Sequence, residues 1–112
     1  MTRYLIEETI SSQAVAALLK NPHDRTDATR QVFEAVGGKL EHCYVAYTEN
    51  TAYLLADVPD QESLTAVMGA MHGGGGVMSW KATPLMTASE AVDMLKKAGS
   101  LGYRSAAESL GA

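Results

Sequence analysis

Between Tyr4 and Pro84 the spacing of apolar residues switches back and forth between a period of two and a period of three to four. That order of periods leaves few folds open. Tyr4 to Ile10 is short, rich in β-branched and aromatic residues, and closed by Ser11-Ser12, which reads as a strand. Ala14, Val15, Leu18 and Leu19 then form a helical stripe that Ser11 or Ser12 can cap. Asn21-Pro22 interrupts it, because Pro22 lacks an N–H and disfavours helix in the residue before it. Asn21 is expected to cap a second helical piece, with Pro22 at its first position and Ala28, Val32, Phe33 and Val36 on its apolar face. Gly37-Gly38 supplies the stop.

Leu40 to Tyr47 and Ala52 to Val58 read as a hairpin closed by the turn Thr48-Glu49-Asn50-Thr51. Asp60 caps a helix through Leu64, Val67, Met68 and Met71, and Val77 to Pro84 is a fourth strand. Thr87-Ala88-Ser89-Glu90 is a capping box ahead of a helix that uses Ala91, Met94, Leu95 and Ala98. Lys96 and Lys97 suit the last turn of that helix, and Gly99 ends it. Ser100 to Ala112 reads as a tail of moderate polarity. The order is β-α-β-β-α-β plus a C-terminal helix: an α+β, ferredoxin-like split βαβ sandwich. Residues 1–86 form the domain, and residues 87–112 a helix and tail expected to pack on it or on a partner chain.

Such a sheet has a second face. His42, Tyr44 and Ala46 alternate with Cys43, Val45 and Tyr47, and Leu54 and Ala56 with Tyr53 and Leu55, so neither side is strongly polar. A half-solvated antiparallel sheet alternates more cleanly. The simplest cover is a two-fold copy of the same chain. With 112 residues and 46% hydrophobic composition the chain is one small domain, for which a partner adds burial. The net charge of −4 and the scattered basic residues argue against nucleic acid. Cys43 is the single cysteine, so no internal disulfide forms. Glu7 and Glu8 break the first apolar run too early for a signal peptide, and no stretch approaches the roughly 18 apolar residues of a membrane span. A cytoplasmic location is expected.

Several stretches resemble the GYD domain family. They are Gly37-Gly38-Lys39-Leu40-Glu41, Tyr44-Val45-Ala46-Tyr47, and Ala52 through Asp60. Tyr4-Leu5-Ile6, Leu85-Met86-Thr87 and Tyr103-Arg104 fit as well. The resemblance implies the dimeric α/β-barrel group, in which two ferredoxin-like sheets pack face to face, and a biochemical role that is unassigned. The turn Glu49-Asn50-Thr51 departs from the family's pattern, as does Ser105-Ala106 near the end.

Gly73 to Gly76 follows a helix and opens a strand, the reverse of a phosphate loop, so it reads as a helix stop and flexible join. On that reading Gly74→Ala and Gly75→Ala cost little stability. Tyr4, Tyr44, Tyr53 and Trp80 on strands are core and interface aromatics, or the lining of a small-ligand pocket between sheet and helices. In the ligand reading Arg25 holds an anionic group, and His42, His72 or Tyr44 moves a proton. His23, His42 and His72 are weak metal candidates, without the close spacing that gives a metal site its specificity. No nucleophile motif surrounds Ser or Cys, and no cofactor is implied. The first hypothesis is a homodimeric small-molecule-binding or accessory protein. The alternatives are a cofactor-independent oxygenase, isomerase or cyclase, and a transition-metal-binding protein.

Overall fold

The structure, a computed structural model, describes residues 1–111. Its elements are β1 (Thr2–Ile10), α1 (Ser12–Lys20), α2 (Thr26–Ala35), β2 (Lys39–Ala46) and β3 (Thr51–Val58). They continue with α3 (Gln61–Gly73), β4 (Val77–Leu85), α4 (Ala88–Gly99) and α5 (Ala106–Ser109). The strands form one antiparallel sheet in the order β2-β3-β1-β4. That is the split βαβ arrangement, and the fold is α+β and ferredoxin-like.

β3 shows why the layers form. Ala52, Leu54, Ala56 and Val58 are buried, while Thr51, Tyr53, Leu55 and Asp57 between them are half-buried. Alternate side chains point to opposite faces, so one face of the central strand is core. Phe33 of α2 and Leu64, Val67 and Met68 of α3 pack on that face with Ile6 and Leu40. Among the described residues no helix packs on the other face. Across it Leu5 pairs with Leu55, Glu7 with Tyr53, and Arg3 with Asp57.

Local signals act where the sequence places them, with four differences. Ser11 accepts from the Ala14 N–H at 3.0 Å, Asp60 from the Ser63 N–H at 2.7 Å, and Thr87 and Glu90 complete the capping box. The second helix, however, does not start at Asn21-Pro22. The Asn21 N–H still bonds Ala17 and ends α1, and the next helix begins at Thr26, whose N–H is taken by the Asp24 carboxylate at 2.8 Å. Asp24 competes better because its oxygen lies two residues ahead of the helix, as an Asx turn requires. Second, Tyr47 lies in the turn and not on β2, and a bulge between Leu40 and His42 shifts the register of that strand. Third, the tail contains the short α5, capped by Ser105.

The fourth difference concerns glycine. Gly75 has φ +83°, so its loop is constrained where a flexible join was expected. The Ser11 hydroxyl donates to the Gly75 carbonyl at 2.6 Å and the Ser11 N–H to Gly76 at 3.1 Å, tying the loop to the β1–α1 junction. At the end of α2, the Gly38 N–H bonds Phe33 and the Gly37 N–H bonds Glu34, a Schellman stop. A Cβ on Gly38 would lie 2.7 Å from the Asp57 carbonyl, so the helix end and β3 meet there without room for a side chain. Gly75→Ala is therefore expected to cost about 1–2 kcal/mol. Gly69→Ala, inside α3 with open space around it, should add about 0.5–1 kcal/mol. Urea unfolding of both variants checks the pair. A Gly75→Ala protein as stable as the parent would return the loop to a slack connection.

Candidate functional site

Glu8 and Ser11 are the buried polar residues among the described ones, at 6% and 9% exposure. Ser11 is fully engaged. Glu8 is not: it projects from β1 into the layer between sheet and helices, and its Oε2 is buried with no hydrogen-bond partner. Its neighbour across the β1–β3 pair is Ala52. Its neighbour on β4 is Trp80. Taking a carboxylate out of water without a partner disfavours its charge. Burial accordingly pushes Glu8 up to about 7 from an ordinary 4.5. The same environment acts on Cys43, whose thiol is pushed up by burial and, behind that, by the charge of Glu8.

A groove of about 410 Å³ opens at this end of the sheet. Its floor includes Thr9 and Ile10, the residues that follow Glu8 along β1. Val15, Ala16 and Leu19 of α1 form one wall, and Met78 and Glu49 stand opposite. Leu19 and Met78 are well exposed, at 77% and 60%. Glu8 does not line this groove but lies one residue before its floor on β1, and an apolar groove that close to a buried carboxyl is a candidate small-molecule site. Glu8 was missed in the sequence because it sits in a polar run near the end of β1, Glu7-Glu8-Thr9, that reads as solvent-facing. Only the β1–β3 register places Glu7 on the open face and Glu8 on the covered one.

The residues singled out from sequence divide between the two faces. Tyr4 and Trp80 are on the covered side, with Tyr4 packed against the core and Trp80 beside Glu8. His42, Tyr44 and Tyr53 are on the open side. There the rings of His42 and Tyr44 stack with centroids 6.1 Å apart, and Tyr53 donates its hydroxyl to Glu49 at 3.0 Å. The Glu49 carboxylate holds the Tyr53 phenol in its protonated form, raising its pKa. Arg25 and His23 lie exposed in the link between α1 and α2, and the His23 Nδ1–H donates to the Asn21 carbonyl at 2.7 Å. His72 closes the last turn of α3, its Nδ1–H donating to Val77 at 2.9 Å. The structure therefore does not gather these seven ligand candidates into one pocket. Among the described residues, no three His, Cys, Asp or Glu side chains converge as a metal site would require.

The open face has its own electrostatics. Arg3 donates to both carboxylate oxygens of Asp57, at 3.1 and 3.4 Å, and lies 3.8 Å from Glu41, which Lys39 approaches to 3.5 Å. The Arg3 hydrogen bond holds the Asp57 carboxyl below the usual range. These groups are solvated, so the ladder orders the edge of the face more than it stabilises the fold.

The Glu8 environment predicts a specific pH dependence. A carboxyl whose pKa is higher folded than unfolded binds its proton more tightly in the fold. Stability is then fully present below pH 4.5, falls as the pH rises towards 7, and levels off above that. The difference is about 3 kcal/mol. Glu8→Gln should be more stable than the parent at pH 8 and should lose this slope. Trp80, the only tryptophan, should report the same ionisation as an emission change centred near pH 7 that the variant lacks. Parallel stability curves for the two proteins from pH 5 to 8 would remove the strained carboxyl.

No curated protein matches the sequence. Among solved structures the chain is similar to an uncharacterized NIPSNAP domain protein from Burkholderia xenovorans, at 14% identity and a TM-score of 0.48. That similarity covers 79% of this chain and 95% of the other, and adds nothing to the topology described above. No helix is long and apolar enough to cross a membrane among the described residues. The GYD domain pattern matches residues 4–95, from the first strand to within α4, and takes in the glycine stop, the hairpin and the capping box. The chain belongs to the GYD domain family.

Proposed function

We propose that the protein is a homodimer that binds a small organic molecule in the layer between helices and sheet, with Glu8 as its polar anchor. The buried, unpartnered Glu8 carboxyl carries this reading. A native fold seldom keeps such a group at a cost of stability unless it is used. Protonated, it donates to a carbonyl or ether oxygen of a ligand. Ionised, it accepts from a hydroxyl or an amine. The neighbouring groove, with Ile10, Val15 and Leu19 in its lining, favours an apolar body attached to that polar group.

The open face of the sheet supports two chains. Its centre is the Leu5–Leu55 pair, flanked by Tyr44 and Tyr53, with Arg3 and Asp57 towards one end. An apolar centre with a charged margin is the anatomy of a protein interface. A second reading, a cofactor-independent enzyme, is favoured by one observation. Burial sets Glu8 near pH 7, where a group gives and takes protons most effectively. In that reading Glu8 takes the acid–base role assigned from sequence to His42, His72 or Tyr44.

Native mass spectrometry of freshly purified protein tests the first reading. The expected result is a two-chain mass carrying extra mass that leaves on denaturation and is diminished in Glu8→Gln. Bare protein whose Glu8→Gln form behaves identically under every ligand screened would sink the binding site. Leu55→Asp should shift the parent dimer towards monomer, and an unaltered dimer would take the open face out of the interface.

A further inference from the structure

The last quarter of the chain, from Thr87, does not pack on the domain that precedes it among the described residues. The radius of gyration is 18.8 Å and the longest extent 65 Å. A compact chain of this length has a radius of gyration of about 13 Å. The excess is the arm that begins at Thr87. α4 is packed against no other element beyond isolated touches, and all its residues except half-buried Ala91 are exposed. Yet α4 is amphipathic. Val92, Leu95 and Met94 lie with Ala91 and Ala98 on one side, at 47%, 61% and 44% exposure for the first three. Glu90, Asp93 and Lys97 lie on the other. A helix of 12 residues is marginal alone in water and draws its stability from burying such a stripe.

We infer that this stripe packs across the groove between α1 and β4 of a second copy of the chain, so that each protomer's arm closes the other's groove, the opening next to Glu8 on β1. Reach decides between the protomer's own groove and a partner's. Leu85, at the root of the arm, pairs with Arg3, whereas the groove lies at Thr9 and Ile10, at the other end of β1. From Arg3 to Ile10 a strand spans roughly 23 Å. Two extended residues and the helix as far as Leu95 span roughly 19 Å even if folded straight back, so Val92, Met94 and Leu95 stop short of their own groove and only Ala98, one turn further on, would reach it. A two-fold axis running across the strands, between the open faces, brings the groove end of one protomer over the arm root of the other. The arm then passes round the end of the partner's sheet.

The surfaces match in kind. The groove rim exposes Leu19 and Met78 and carries Glu49, while the stripe is flanked by Lys96, one turn from Val92. Neither Lys96 nor Lys97 forms an ion pair within 4.0 Å among the described residues. The start of the arm is also continuous with the open face, because Leu85 at its root pairs with Arg3 of that face. The exchange is isologous and closes at two chains. It rests on the two-chain reading above and extends it: the partner supplies the outer wall of the ligand site.

Leu95→Asp on the arm and Leu19→Asp in the groove test this, each at an exposed position where the protomer tolerates the change. Sedimentation velocity across a concentration series should show either variant dimerising about tenfold or more weakly than the parent. An equimolar mixture of the two should form heterodimers in preference to either homodimer. One arm and one groove are then both intact and meet each other. Single variants that dimerise like the parent would overturn the exchange while leaving a sheet-face dimer, which Leu55→Asp reads separately. Weakened variants without preferential heterodimers would overturn it too, by showing that arm and groove do not meet across chains.

Discussion

A four-stranded sheet has two faces, and this chain has enough helix to cover one. α2 and α3 seal the face that carries Ile6, Leu54, Ala56 and Val58. Everything else follows from that division. The opposite face keeps its leucines and tyrosines half-exposed, and the helix that would complete a second layer, α4, stands away from the sheet. Apolar surface in both places is what an assembly of copies would bury.

Within the covered layer the packing is not purely apolar. Glu8 sits where the alternation of β1 demands an inward side chain, next to the residue with the smallest side chain on that part of β3. Replacing it with an apolar group of similar size would strengthen the core, so the carboxyl opposes the stability of the fold that holds it. Its proximity to Cys43 and Trp80 places an ionisable acid, a thiol and an indole on one side of the sheet. The glycine loop tied to Ser11 sits at the same end and is held by hydrogen bonds to the β1–α1 junction. The groove is therefore framed by anchored backbone.

Much of this was legible in the chain. The caps Ser11, Asp60 and Thr87 and the stop at Gly37-Gly38 act through atoms a few residues away, so local spacing is enough to place them. The order of strands and helices follows from hydrophobic period, which is local too. The start of α2 was misplaced because two polar residues compete over a few positions: Asn21 ends α1 as its C-cap, and Asp24 takes the Thr26 N–H in an Asx turn. Of the candidate site, Trp80 and Tyr4 were named on sequence grounds and lie on the covered face, while the histidines do not join them.

By itself the sequence determined the element order, the caps, the ferredoxin-like class and the family, because each depends on residue type at short separation or on patterns the chain carries along its length. Only the tertiary structure decided which of two adjacent glutamates is buried. That choice turns on strand register between segments more than forty residues apart, and a shift of one residue exchanges Glu7 and Glu8 between the faces. It also decided that α4 leaves the domain, since its amphipathic pattern is the same whether it meets its own sheet or another chain.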